Sequence, residues 1–188
     1  TDTCNVYVLR SGDTALLIDL GDGSVLDHLD SIGVKKVEWV LFTNHHREQC
    51  QGAERLKGSA TKIGAPVAER GLFENPTNFR RMKVRLGDPH TIHGSSYVRP
   101  PIQPITLDRT FKKMDVFDWQ GREFWCLDTA SNSPGAMSYC LKRGDNWIVF
   151  SGGLMLDGAR MHTWYDSEWD YGFAKGVYAT VNAAGLIQ

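Results

Sequence analysis

Val37-Glu38-Trp39-Val40-Leu41-Phe42 runs directly into Thr43-Asn44-His45-His46-Arg47-Glu48-Gln49-Cys50-Gln51-Gly52, and this junction organises the chain. Val37 to Phe42 is the β-rich, mostly apolar pattern of a strand buried in a sheet. Gly52 to Lys57 reads as a helix stopped at Gly58. A buried strand that ends in a dense polar loop and enters a helix is a favoured place for chemistry. Strand ends of α/β sheets converge on a crevice, and a helix N-terminus presents N–H groups with no partner inside the helix. The adjacent histidines and Glu48 are candidate metal ligands there. The competing reading is a solvent-facing turn in which Asn44 caps the helix and the histidines are merely polar.

Upstream, Asn5 to Leu9 and Ala15 to Leu20 are short β-rich runs joined by the turn cluster Arg10-Ser11-Gly12-Asp13, a hairpin whose second run is apolar on both faces. Ser24 is placed to cap a short helix, with Asp27 three residues on, an apolar stripe of Val25, Leu26, Leu29 and Ile32, and a stop at Gly33. Downstream, Lys62 to Val67 reads as a further strand. Strand, helix, strand, helix, strand predicts right-handed crossovers and a sheet with helices on its face. The second half is antiparallel in character: Val116 to Leu127 folds back at Gln120-Gly121, and Met137 to Leu141 pairs with Trp147 to Phe150 around Arg143-Gly144-Asp145. Between the halves, residues 70–109 form a stretch rich in Pro, Gly and Arg that is too long for an ordinary connection, and such loops tend to be functional or mobile. Near the end, Trp169, Phe173, Val177 and Val181 recur every four residues as the apolar face of a helix capped by Ser167.

Composition narrows the classes. The chain has 188 residues, 21 Lys and Arg against 22 Asp and Glu, and 41% hydrophobic residues. A chain of this size buries roughly 70% of its surface, enough for one core. We therefore expect a single domain over residues 1–188 with a long loop insertion at about 70–109. Charge is balanced and dispersed, and the cluster Arg80, Arg81, Lys83 and Arg85 reads as a solvated loop, so nucleic acid is not an expected partner. No apolar run approaches the roughly 20 residues of a membrane span. The four cysteines lack C-x-x-C spacing, which argues against a structural zinc site and leaves compartment and disulfide status open. Ser131 and Ser133 have no nucleophile-elbow context. Cys50 at a helix start could be reactive, but Glu48 opposes a thiolate and packing is the better reading.

Three strand ends carry short polar or Gly-containing loops: 43–52, Asp128 to Gly135, and Ser151-Gly152-Gly153. Together with Leu17-Ile18-Asp19-Leu20-Gly21, Phe42-Thr43, the Ser133-Pro134-Gly135 loop before Ser138-Tyr139, and Phe150-Ser151-Gly152, they occur in the order used by the metallo-β-lactamase-like hydrolase superfamily. The chain resembles that family over residues 4–155. The resemblance implies a four-layer αβ/βα sandwich of α/β (α+β) class, truncated at the C-terminus before the family's last His.

The family's His-x-His-x-Asp-His motif, followed by Gly, matches Asn44, His46, Glu48, Gln49 and Gly52. Its next ligand position matches Asn132, and its bridging Asp matches Gly153. Only His46 and Glu48 retain usual metal-binding groups, with His45 and His162 as additional candidates and Asp128 as a hydrogen-bonding group nearby. Adjacent residues leaving a strand point to opposite sides, which makes joint ligation by His45 and His46 awkward. Catalytic zinc takes about three protein ligands plus an open position for water, whose pKa it lowers to about 7.

Three functional readings follow. One is a domain with a degenerate metal site, catalytically impaired, serving as a binding or structural module of a longer protein and holding metal weakly or not at all. Another is a metal-dependent hydrolase with a single-metal or rearranged site built on His46 and Glu48, using zinc, iron or manganese. The last is a binding domain for a small-molecule ligand under the 70–109 loop. No residue is assigned as catalytic, and substrate and localisation stay open.

Overall fold

The computed structural model describes residues 4–78, 99–130, 133, 135–156 and 160–161. In β2 (Thr14–Ile18), successive side chains leave on opposite faces. Ala15 and Leu17 enter one core, with Leu20, Val34, Val37, Val40, Phe42, Cys50 and Phe73. Leu16 and Ile18 enter another, with Leu41, Phe111, Phe117, Phe124, Tyr139 and Phe150. That split is why the run is apolar throughout: its sheet is covered on both faces.

The first sheet has the order β1-β2-β3-β4-β5. The strand β1 (Tyr7–Ser11) pairs antiparallel with β2; β3 (Lys36–Leu41), β4 (Lys62–Pro66) and β5 (Arg109–Phe111) continue in parallel. The second sheet is wholly antiparallel, with β6 (Val116–Trp119), β7 (Arg122–Asp128), β8 (Met137–Arg143) and β9 (Asn146–Phe150) in sequence order. Gln120 and Gly121 both have positive φ, the geometry of a tight two-residue hairpin turn. A short antiparallel pair, β10 (Met155–Leu156) and β11 (Arg160–Met161), follows. The two sheets face each other across the second core, while short helical turns cover the outer face of the first.

Those turns differ from the sequence expectation in three places. The segment expected as one helix from Ser24 is two 3-10 turns, Ser24–His28 and Asp30–Ile32. Gly23, not Ser24, occupies the cap position with φ 85°, and Asp22 Oδ1 accepts the Ser24 N–H at 2.9 Å. The helix expected from Gly52 starts earlier, as α1 (Arg47–Cys50), and tightens into a 3-10 turn over Gln51–Leu56. The tightening coincides with the approach of Gly52 to Gly23: a Cβ at Gly52 would lie 2.4 Å from the Gly23 nitrogen. Finally, the stretch expected as a loop from residue 70 opens with a helix, α2 (Arg70–Glu74), preceded by a 3-10 turn at Val67–Glu69. Phe73 packs that helix against the first core, and Leu72 is buried beside it.

The helix expected around Trp169, Phe173, Val177 and Val181 lies outside the described residues, as does the Arg80, Arg81, Lys83 and Arg85 cluster. Among the described residues no helix is long and apolar enough to cross a membrane.

Candidate functional site

Three strand ends meet at Thr43. Directly after β2, Asp19 takes a left-handed conformation (φ 56°) and its N–H donates to Leu41 O at 2.9 Å. Its buried carboxylate accepts the Thr43 N–H at 2.8 Å, and the Thr43 hydroxyl at 2.9 and 3.1 Å. Burial pushes the Asp19 carboxyl up to about 7, against the pull of the Thr43 hydrogen bonds. From the second sheet, the Met137 N–H donates to Thr43 O at 2.9 Å and the Tyr139 hydroxyl to Phe42 O at 2.9 Å. Gly152 closes the third side: at φ 56° a Cβ there would lie 2.6 Å from the Thr43 hydroxyl. Of the loops picked out in the sequence, 43–52 and 151–153 meet at Thr43, joined by Asp19 after β2 and by Met137 at the start of β8.

The polar loop is not a solvent-facing turn. Asn44 and His45 are 0% exposed and His46 is 6% exposed. His46, with extended backbone, is the cap residue of α1, and Asn44 Oδ1 accepts its N–H at 2.9 Å. The Leu20 and Gly21 N–H groups donate to Gln49 O at 2.8 and 3.1 Å, and the Gly52 N–H to Gly21 O at 2.7 Å. Gly52 thus lets α1 lie flat against the turn that follows β2. Cys50 donates its thiol to the His46 carbonyl at 3.2 Å, and burial, then the charges of Asp19, Glu69 and Glu48, hold that thiol well above its ordinary range. It is a packing residue. From the far end of the 70–109 stretch, Arg99 O accepts the Arg47 N–H at 2.7 Å and Pro100 O the Arg47 Nε–H at 3.3 Å.

His45 and His46 do not diverge as strand alternation led us to expect, because the chain has already turned into the helix cap. Their rings meet edge to face with centroids 4.9 Å apart. His45 is directed to Glu69, with Nδ1 at 2.8 Å from Glu69 Oε2. Burial works against the Glu69 charge, but His45 and the Ser133 hydroxyl more than offset it, and the carboxyl is held below the ordinary carboxylate range. Neither Glu69 nor the partnership of His45 with Ser133 was visible in the sequence: Glu69 sits in a segment with no motif, and Ser133 drew notice as part of a family-like loop and as a rejected nucleophile, not as a partner of His45.

Glu48 Oε2 and Gln49 Oε1 are buried and accept no hydrogen bond from the described residues. Gly153 is half-buried and brings no side chain. Asp128, at the end of β7, is exposed. Asn132 and His162 lie outside the described residues.

The donors can be tested against a metal. Among the described residues no three His, Cys, Asp or Glu side chains cluster so as to hold an ion. His46 and Glu48 contribute two usual donors, His45 has Nδ1 engaged by Glu69, and the amides of Asn44 and Gln49 are poor zinc ligands. The described residues do not fit a two-metal centre.

The family model described as the metallo-beta-lactamase superfamily matches residues 1–152. The chain belongs to that superfamily. Among solved structures, it is similar to the Cronobacter sakazakii metallo-beta-lactamase with a HARLDQ motif, at 16% identity and TM-score 0.68, covering 97% of this chain and 67% of that one. FEZ-1 from Legionella gormanii matches at 13% identity and TM-score 0.70, over 97% of this chain and 69% of that one. BJP-1, a subclass B3 enzyme of Bradyrhizobium japonicum, matches at 19% identity and TM-score 0.65, over 97% and 67%. The chain spans 64% of the length of the MIM-2 metallo-beta-lactamase. No curated protein matches it.

Proposed function

We propose that the chain is a metallo-β-lactamase-like domain with a degenerate metal site, catalytically impaired, acting as a binding or structural module of a longer protein. One observation carries this reading. The loops are held by the Asp19–Thr43 contact and by the close approach of Gly52 to Gly23, while the positions matched by resemblance to the family's donors carry Asn44, Gln49 and Gly153. The Asn44 side-chain oxygen accepts the His46 N–H. A metal that loses several ligands from one coordination sphere loses most of its binding free energy and the acidified water that hydrolysis needs. Its partners, on this reading, are a small-molecule ligand or neighbouring domains rather than nucleic acid or membrane.

A second reading is favoured by the two buried oxygens, Glu48 Oε2 and Gln49 Oε1, since buried acceptors are paired in nearly all proteins. A single zinc, iron or manganese ion held by His46 and Glu48 would give them an electropositive neighbour. The HARLDQ motif of the C. sakazakii protein ends in Gln, as does 44–49 here, so Gln49 alone does not decide the matter.

Elemental analysis after dialysis separates the two. The first reading predicts substoichiometric metal, unchanged in His46→Ala, and no turnover of ester, thioester, phosphodiester or lactam substrates. One equivalent of transition metal that survives dialysis and is lost in His46→Ala would overturn it in favour of the second.

A further inference from the structure

Glu69 lies outside every position matched to the family's ligand motifs, yet it is 1% exposed and touches two of the site loops. It ends the 3-10 turn that follows β4. Its Oε2 accepts the His45 N–H at 2.6 Å and faces His45 Nδ1 at 2.8 Å, so the imidazole proton is on Nδ1. Its Oε1 accepts the Ser133 hydroxyl, and also the Gly135 N–H at 3.2 Å. Gly135 is shaped by this approach: a Cβ there would lie 2.5 Å from Glu69 Cγ and 2.9 Å from Ala68 Cβ. A buried carboxylate with donors on both oxygens is a strong junction, because each charge-assisted bond exceeds a neutral one and the low surrounding polarity amplifies it.

Ser, His and Glu together suggest a hydrolytic relay, but the geometry does not make one. In a relay the serine and the carboxylate engage opposite nitrogens of the ring. Here Ser133 Oγ is 3.3 Å from Nδ1, the same nitrogen that faces Glu69, and all three side chains are buried. The cluster is suited to holding, not to reacting.

We propose that Glu69 is a positioning residue: it braces the β3–α1 loop, through His45, to the turn between β7 and β8, through Ser133 and Gly135, so that the two loops move as one unit. The inference rests on the reading that these loops form the site, but not on whether a metal binds there. Through His45 the brace fixes the backbone between Asn44 and His46. Through Ser133 it fixes a turn that also holds its own ends, with the Ala136 N–H donating to Ser133 O at 3.2 Å and the Thr129 N–H to Ala136 O at 3.0 Å.

The test is amide hydrogen exchange on the full chain, with Glu69→Gln and Ser133→Ala, read at His45 and Gly135 and referenced to the core amides of Leu17 and Phe124. Loss of a buried charge-assisted hydrogen bond predicts about ten- to hundredfold faster exchange at both loop amides in Glu69→Gln, with the core amides unchanged. Ser133→Ala, which deletes one hydroxyl and is expected to fold, should accelerate the His45 amide as well as that of Gly135. Ser133 touches the His45 ring but not its backbone N–H, which bonds Glu69 Oε2, so acceleration of the His45 amide in Ser133→Ala is transmitted through Glu69. The His46 ring resonances should shift in both variants, which a residue contributing stability alone would not cause. Parallel acceleration of loop and core amides, or a His45 amide and His46 ring indifferent to Ser133→Ala, overturns the proposal. Neither result depends on metal content or turnover.

Discussion

Asp19→Asn removes a proton-binding site from the interior while preserving its contacts. Asn Oδ1 can accept the Thr43 N–H that Asp19 Oδ1 now accepts at 2.8 Å, and the Asn amide can donate to the Thr43 hydroxyl. The wild-type carboxyl rises from 3.8 to about 7 through burial. Because the native pKa is the higher one, the folded state binds more protons than the unfolded state between those values. Asp19 therefore costs nothing below the unfolded pKa, and its penalty accumulates as pH rises until it is complete just above the folded pKa. At 1.36 kcal/mol per unit, the penalty is about 1 kcal/mol at pH 4.5 and about 4 kcal/mol at pH 8. Asn does not titrate, so the stability of Asp19→Asn relative to wild type should improve by about 3 kcal/mol between those two pH values. Glu69, whose depressed carboxyl gives stability that is present at high pH and lost as pH falls through its folded pKa, is common to both proteins and cancels in the difference. Urea unfolding followed by tryptophan fluorescence at pH 4.5, 6 and 8 measures it. Parallel stability profiles for the two proteins, or a variant that loses ground as pH rises, would refute the account of Asp19 as a buried carboxyl kept protonated by desolvation.

Two further outcomes follow from packing and burial. Gly52→Ala places a methyl 2.4 Å from the Gly23 nitrogen and 2.5 Å from its Cα, both backbone atoms, so the α1 turn must shift; we expect a loss of about 3 kcal/mol in urea unfolding, and a loss under about 0.5 kcal/mol would show that the two turns are not in rigid contact. The thiols of Cys4 and Cys126 are pushed up to about 12 and that of Cys140 to about 11, all chiefly by burial, and Cys50 lies well above its ordinary value. At pH 8 the buried thiols of Cys50, Cys126 and Cys140 should react with a thiol reagent only on the timescale of unfolding, with four thiols titrating in urea, whereas more than one thiol reacting within seconds in the native protein would refute their burial.

How far the sequence could be read depends on what each feature is made of. Strands of the second sheet were legible because Val116 to Leu127 and Met137 to Phe150 pair with near neighbours through Gly-containing turns, so local pattern and final contact coincide. The helices were less so: Ser24 looks like a cap, but the αL conformation of Gly23 and the packing of Gly52 against it force tight 3-10 turns that propensity does not encode. At the site, the residue types at 44–49 announced themselves, yet their burial did not. That depends on Asp19, Tyr139 and Met137, which arrive from other strands. Glu69 was invisible for the same reason, since its partners lie 24, 64 and 66 residues away.

The same distinction bears on function. Folding strongly constrains a position such as Gly52 or Gly152, because any side chain there meets backbone or Thr43 within 3 Å. A metal-donor position answers to no such constraint, since exchanging a ligand for an amide of similar size leaves the loop able to form as long as the amide finds a hydrogen bond. Asn44 does so by accepting the N–H of His46, the residue that precedes α1. On the proposed reading such a scaffold keeps its shape through contacts between protein groups, Asp19–Thr43 and Glu69–His45–Ser133. Metal binding and loop order are then separable quantities on that reading, which expects the amide exchange of His45 and Gly135 to be unchanged by a chelator, whereas faster exchange at these loops on chelation would count against it.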